Sequence, residues 1–248
     1  MKSLFLRTSN INSMFQQLSQ NLGGQVNIDY KEHQLELDNN FGQGFIRGLS
    51  FDTGISYLEF DMIFSEDCQL VVQNSQLWPV CFAYCSDGSL THSFGVDGEK
   101  RKLDYFQTGI LATKAQQDQI FWFQKDISLK FSLISVNMAG AMPSLKTELH
   151  NELWRTFFDK KDTETFIYIG SQNLKISDKI RQLDAITQKG IVRSLLIEGL
   201  VNMILALEIQ QHSDDMEHHE HNSGSLTRKE MDRVKDLSAF LGNYPEKE

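Results

Sequence analysis

The sequence predicts an α+β protein, with a β-sandwich or barrel over residues 1–140, a helical hairpin over 141–212 and a separate helix over 226–248. Three observations predict it. Apolar residues recur with period two up to about residue 140, the period becomes helical from Pro143, and residues 213–225 carry no apolar period at all.

In the first part, "QVNIDYKEHQLELD" reads as a strand pair, and the glycines of "NNFGQGFIRGLSF" read as turns or bulges. "SYLEFDMIFS" sends Leu58, Phe60, Met62 and Phe64 to one face of a strand. "PVCFAYCSDGSLTHSF" reads as two strands around an Asp87–Gly88 turn, and Asp-Gly supplies the positive φ angles that a tight hairpin turn needs. "DQIFWFQ" and "SLKFSLISVNM" are apolar on alternate positions or on both faces, as strands inside a sandwich are. Some ten short strands without intervening helices predict a sandwich or barrel.

Beyond Pro143, Leu145, Leu149, Leu153, Trp154 and Phe157 fall at helical spacing. Ile176, Ile180, Leu183 and Ile186 make a second stripe, with Gly190 near its stop. The short connection that follows favours an antiparallel pair with a third helix over roughly Ile191–His212. That third helix is apolar nearly all round, which requires two partners. One is the preceding helix or the sheet, and the other is expected to be a second copy of the chain. The contact stripe is Leu196, Leu200, Met203, Ile204 and Leu207, because 196, 200, 203 and 207 are spaced four, three, four like a coiled seam. Residues 213–225, "SDDMEHHEHNSGS", read as a polar linker. In the last segment Thr227 and Glu230 have capping-box spacing, Met231, Val234, Leu237 and Leu241 form one face, and Gly242 and Pro245 mark the stop.

The charge balance is acidic, 33 carboxylates against 24 Lys and Arg, so the chain as a whole does not attract nucleic acid or anionic lipid. Cys68, Cys81 and Cys85 do not form a disulfide framework, since Cys81 and Cys85 on one strand lie ~13 Å apart. A reducing, cytoplasmic setting is expected. The N-terminus lacks a signal-peptide pattern. The longest apolar run, Leu195–Ile209, contains Glu198, Asn202 and Glu208, and no membrane span is expected.

No metal or other cofactor is expected. A cupin-like metal centre needs a His-x-His pair, a carboxylate and a later histidine, whereas the β part contains only His33 and His92. "EHHEH" at Glu217–His221 reads as solvated linker rather than a metal site. Cys81 and Cys85 read as small buried hydrophobes. Catalytic motifs such as a phosphate loop, a nucleophile elbow or H-E-x-x-H are absent from the sequence, so no catalytic residue is assigned. The aromatic-rich stretch 78–123 supplies core, and Trp78, Phe82, Tyr84, Phe94, Tyr105 and Trp122 are candidates to line an apolar ligand cavity. Arg47, if it faces that cavity, pairs with an acidic ligand.

In this order of parts the chain resembles the AraC/XylS family of bacterial transcription regulators. "ISDKIRQLDAITQKGIVRSLLIEGLVNMILALEIQQ" is similar to the sensor-domain helices of its ferri-siderophore uptake subgroup. "LTRKEMDRVKDLSAFLGNYPEKE" is similar to the first helix of the family's DNA-binding domain. The resemblance implies a small-molecule effector, a homodimer, and DNA contact through further helices beyond that first one. The expected function is therefore the effector-sensing and dimerisation portion of such a regulator, and not an enzyme. The alternative is a cupin-like small-molecule-binding protein or enzyme.

Overall fold

A computed structural model describes residues 1–7, 10–73, 79–114, 117–138, 148–158 and 164–218. The chain divides into two compact units, 1–212 and 213–248. The expected C-terminal helix over 226–248 lies outside the described residues.

The central strands are β5 (Ile55–Phe64), β6 (Cys68–Gln73), β7 (Pro79–Asp87), β8 (Leu90–Phe94), β9 (Arg101–Leu103), β10 (Gln107–Thr113), β11 (Gln119–Phe123) and β12 (Ser128–Asn137). They pair as β5-β12-β7-β10 in one sheet and β6-β11-β8-β9 in the other. Folding the chain in half at the β8–β9 connection brings first and last strands together, then second and second-to-last. That nesting is the two-Greek-key jelly roll. One sheet is widened to eight strands by β2 (Val26–Asp29), β3 (Glu32–Asn39) and β4 (Gly42–Ser50) at one edge and β13 (Thr165–Gln172) at the other. The second gains β1 (Lys2–Arg7), parallel to β6. The α+β sandwich with C-terminal helices expected from the sequence is therefore present.

Between the sheets, Phe60, Phe64, Phe121, Phe123 and Phe131 pack at ring-centroid distances of 4.7 to 6.1 Å, among buried Leu4, Leu6, Leu58, Leu70 and Leu133. Helix α1 (Ile11–Leu22) covers this inner face where β2–β4 extend past the smaller sheet, burying Phe15, Leu18 and Leu22. Its start is set by Asn10, whose side chain accepts from the Ser13 amide. Gly48 permits the close approach, since a Cβ there would stand 2.8 Å from the Phe15 ring. The outer face of the large sheet, with Tyr57, Val80, Phe82, Tyr84, Ile110 and Ile134, is covered by α2 (Glu148–Phe157), α3 (Leu174–Asp184) and α4 (Gly190–His218). Asn173 caps α3 by accepting from the Lys175 and Ile176 amides.

Several expectations are corrected. The Asp87–Gly88 turn does not close a hairpin, because β7 and β8 belong to different sheets and the turn carries the chain from one to the other. The glycines of 42–48 lie within one continuous strand; Gly44, at φ 125°, lets that strand pass so close to β5 that a Cβ would meet the Asp61 carbonyl at 2.1 Å. Helix α1 intervenes among the strands. Strand β13 falls within the segment read as helical and pairs with β10, because its apolar residues complete the sheet edge. Gly190, at φ 59°, opens α4 instead of closing α3. Helix α4 runs to His218, so the first residues of the expected linker, including Glu217 and His218 of "EHHEH", continue the helix; 219–225 lie outside the described residues.

By length and composition alone α4 is apolar enough to cross a membrane, with a mean hydropathy of 1.8 over its best window, of which 28% is buried. Its inner face, Ile197, Val201, Ile204, Leu205 and Glu208, packs within the folded unit. Ile204, assigned from the sequence to a contact with a second copy, is completely buried in that inner core.

Among the described residues, the buried His92 and Glu208 side chains lack hydrogen-bond partners. His92 lies between the sheets against the Phe94 and Phe121 rings, and burial pushes its imidazole down to about 3. Below pH 6.5 the unfolded chain binds a proton that the native chain refuses, so stability falls with pH until about pH 3, by ~2 kcal/mol already at pH 5. Glu208 has the opposite sign. Burial holds its carboxyl well above the ordinary value of 4.5, so the unfolded chain releases a proton that the native chain retains, and stability falls as pH rises from there. Urea unfolding across pH should therefore show His92→Leu stabilising most at acid pH and Glu208→Leu stabilising most at alkaline pH.

Candidate functional site

The outer face of the large sheet is apolar over β7, β10 and β12 but turns ionic where β4, β5 and β12 meet. Alternation along β4 puts Phe45, Arg47 and Leu49 on this face. On β5 it puts Tyr57, Glu59 and Asp61 there, and on β12 Lys130. Arg47 Nε donates to Glu59 Oε2 at 2.5 Å, and the Tyr57 hydroxyl donates to the same oxygen at 3.0 Å. The other Glu59 oxygen lies 3.4 Å from the Lys130 ammonium. Burial opposes the Arg47 charge, but Glu59, Tyr57 and Asp184 outweigh it and hold the guanidinium above its ordinary range. Lys130 is likewise opposed by burial and held up by Glu59, Asp184 and Asp61.

Asp184, the last residue of α3, enters this patch from above. Its carboxylate receives Arg47 Nη2 at 2.9 Å and Lys130 Nζ at 2.7 Å. A carboxylate at a helix C-terminus opposes the helix dipole, so the two cations of the sheet keep it in place, not the preference of the helix.

Beside the patch runs a polar cleft of about 680 Å³, a size suited to a small molecule. One wall is the outer face of β2–β3, including Glu32, Gln34 and Glu36, and the other is the α3–α4 turn with Thr187, Gln188 and Lys189, continued by Arg193 of α4. Gln34 stands opposite Arg47 in the β3–β4 register. At the α4 side, Arg193 grips Glu32 with two bonds of 2.5 and 2.9 Å and donates to the Ile186 carbonyl at 2.6 Å. The Gly190 amide donates to Asp29 at 3.0 Å. The Arg193–Glu32 pair across the cleft and the Arg47–Asp184 pair beside it thus fix the α3–α4 turn to the sheet. A second, largely apolar groove of about 670 Å³ lies between α3 and α4, lined by Leu174, Lys179, Met203, Ala206 and Leu207 among others.

The residues expected to share one cavity are dispersed. Phe82 and Tyr84 lie together on the outer face beneath the helices, and the Tyr84 hydroxyl donates to the Asn173 carbonyl. Arg47 is on that same face, with β5 and β12 between its strand and theirs. Phe94 lies between the sheets. Tyr105 stacks on Phe106, and its carbonyl accepts from Gln172. Trp122, half-buried, has the Lys100 ammonium 4.4 Å from its ring centre. Trp78 lies outside the described residues. The sandwich interior is instead filled by the phenylalanine cluster.

Of the expected stripe on α4, Leu196 and Met203 are exposed, Leu200 and Leu207 are half-buried against the core, and Ile204 is enclosed. Ile191, Val192 and Leu195 add exposed apolar surface at the start of the helix. Sequence reasoning missed Glu32, Glu59, Lys130, Asp184 and Arg193. Their pairing spans up to 161 residues, and the available signal was the Leu-Glu-Phe-Asp-Met alternation of β5, which places charges on a strand otherwise apolar on both faces.

Among the described residues no group of three or more His, Cys, Asp or Glu side chains is placed to hold a metal ion. His33 contacts Asn12 and the Lys31 carbonyl. Burial pushes the thiols of Cys68 and Cys85 up to about 12, so neither is a nucleophile at neutral pH.

No protein-family model matches the chain, and no curated protein matches it. Among solved structures it is similar to the AraC-like transcriptional activator CuxR, at 9% identity over 86% of this chain and 72% of that one, with a TM-score of 0.43. It is also similar to oxalate decarboxylase of Bacillus subtilis, at 7% identity over 49% of this chain and 33% of that one, TM-score 0.30. Procruciferin, an 11S globulin of Brassica napus, matches at 14% identity over 45% and 30%, TM-score 0.30. The chain spans about a third of the length of the decarboxylase and globulin chains.

Removing one partner of a buried ion pair leaves an uncompensated charge, costing about 3–5 kcal/mol. Arg47→Met should lower stability by that order in urea unfolding, and Arg47→Met with Glu59→Leu should recover most of it. Asp184→Asn, at a side chain 35% exposed, should cost less than about 1 kcal/mol.

Proposed function

We propose that the chain is the effector-sensing and dimerising part of a cytoplasmic transcription regulator of the AraC/XylS type. A small molecule occupies the polar cleft, and a second copy of the chain covers the outer face of α4. The observation that carries this reading is the double role of α4. Its first turns wall the cleft through Arg193, while Ile191, Val192, Leu195, Leu196 and Met203 leave an apolar face exposed on the same helix. A two-fold pairing presents the same patch twice, which one helix face with self-complementary apolar spacing satisfies. An effector that favours one placement of the α3–α4 turn also favours one placement of that face; a ligand that binds both placements equally shifts nothing. DNA is reached through the segment after α4, which the sequence likens to the start of a DNA-binding domain. We read the chain as a binding module and not an enzyme, since Arg193 and Glu32, which meet across the cleft, are committed to one another instead of poised around a nucleophile.

The jelly roll with His92 inside it favours a second reading, a cupin-like small-molecule-binding protein or enzyme. Metal analysis of the purified protein separates the two, because stoichiometric iron, zinc or manganese supports the second.

Sedimentation should show the purified chain as a dimer, converted to monomers by Leu196→Glu or Met203→Glu, both at exposed positions where the substitution leaves the fold intact. A wild-type monomer, or variants that remain dimeric, would remove this interface.

A further inference from the structure

We propose that the apolar groove between α3 and α4 is a second ligand site, and that it takes a free aliphatic carboxylic acid, with the chain along the groove and the carboxylate at the start of α3. The groove lies apart from the polar cleft, which is walled by the first turns of α4, and the proposal does not rest on the reading of that cleft.

The groove has a volume of about 670 Å³, within the range of sites that hold a small molecule. Its α4 wall runs from Met203 to Gln210, ~10 Å of straight helix at ~1.5 Å per residue. The wall is aliphatic. Met203 is 49% exposed, Leu174 faces it from α3 at 38% exposed, and Ala206 and Leu207 complete the surface. Among the described residues no aromatic ring lines it, so it offers no flat face to a planar ligand, whereas adaptable Met and Leu side chains suit an unbranched chain.

Charge at one end of the groove is unbalanced. The charged side chains that line it are Lys175, Asp178 and Lys179, all from α3. Asp178 is already committed, to Lys179 and Arg181 at 3.4 Å each and to the Gln182 amide at 2.8 Å. Lys175 has no ion pair among the described residues, and it stands in the first turn of α3, where no acidic residue offsets the positive end of the helix dipole. Asn173 caps that turn with a neutral side chain. A hydrogen bond between Asn173 and Gln211 sets this end of α3 against α4, one residue from Gln210, so the positive end and the apolar wall meet. One carboxylate there compensates both Lys175 and the dipole. A neutral chain leaves them uncompensated, and a cationic one is repelled.

The test is calorimetric titration of the full chain with decanoate, decan-1-ol and decylamine, each below its micellar concentration. Decanoate should bind saturably, and more tightly than the alcohol or the amine. Lys175→Glu should weaken decanoate binding about fivefold while leaving that of the alcohol unchanged. An acidic residue in the first turn suits the dipole, so this variant should melt no lower than the wild type, which separates lost affinity from a folding defect. Ala206→Trp, at an exposed position, should fill the groove and abolish binding of acid and alcohol alike. Absence of saturable binding to the wild type, whether the groove stays empty or a second copy covers it in solution, would overturn the proposal. So would equal affinity for acid and amine, or a Lys175→Glu variant that binds decanoate unchanged. Failure of the regulator reading shows elsewhere, in the sedimentation of the α4 variants, which this titration does not address.

Discussion

The large sheet must be buried on both faces. Strands β5, β7, β10 and β12 are apolar on both, with Phe60, Cys81, Leu111 and Phe131 facing the smaller sheet while Tyr57, Phe82, Ile110 and Ile134 face the helices. A strand of this kind cannot leave either side in water, and at roughly 25 cal/mol per Å² of apolar surface removed from it, neither layer is dispensable. The jelly-roll pairing supplies the inner cover, and helices α2–α4, which follow the jelly-roll strands in the chain, supply the outer one. The fold is thus three layers with two cores, and the position of the helices is set by the outer face of the sheet.

That outer face is interrupted at one place. Where β4, β5 and β12 meet, the apolar surface gives way to Arg47, Glu59 and Lys130, and there the helical layer contributes a charge, Asp184, instead of a leucine. Apolar contacts are non-directional and tolerate small shifts of a helix on a sheet, whereas two cations converging on one carboxylate at 2.7 and 2.9 Å define a register. The ionic patch therefore locates the end of α3 at a cost in desolvation that an apolar contact would not incur. A second fix of the same kind, Arg193 on Glu32, locates the start of α4. The cleft is walled by the second fix and by the turn between α3 and α4. The α3–α4 connection is thus fastened to the sheet by ionic contacts at both ends, on helices otherwise held by apolar contacts.

The layers were legible in the sequence because burial on two faces leaves a continuous apolar run, as in "SLKFSLISVNM", and burial on one face leaves a period. Pairing was less legible. Asp87–Gly88 has the local chemistry of a hairpin, but the turn only reverses the chain, and whether the next strand joins the same sheet depends on β10, β11 and β12 further along the chain. Helix α1 carried its signals openly, with Asn10 as cap and Phe15, Leu18 and Leu22 at helical spacing, and was obscured only by the β-rich context around it. The site was the least legible. Arg47 was recognised as a residue able to meet an acid, but the direction it faces follows from strand register, and its partner Asp184 lies 137 residues away. Aromatic density over 78–123 read as core and left a cavity lining open beside it, and a packed phenylalanine core fills the space between the sheets, because composition measures how much ring is present and not whether rings fill the space between them.

Helix α4 joins these themes. Read at 100° per residue it is apolar nearly all round, and the structure divides that surface into an enclosed face, Ile197, Val201, Ile204 and Leu205, and an exposed one, Leu195, Leu196 and Met203. The enclosed face ties the helix to the outer core, and Arg193 ties its start to the cleft. Any shift in the α3–α4 turn is therefore carried along a rigid element to the exposed face, without a chain of intermediate contacts having to be invoked. The linkage works in both directions. If occupation of the cleft alters self-association, then self-association alters affinity in the cleft by the same factor. A helix anchored along one side by core and at one end by the Arg193–Glu32 pair shifts as one body with the turn that precedes it.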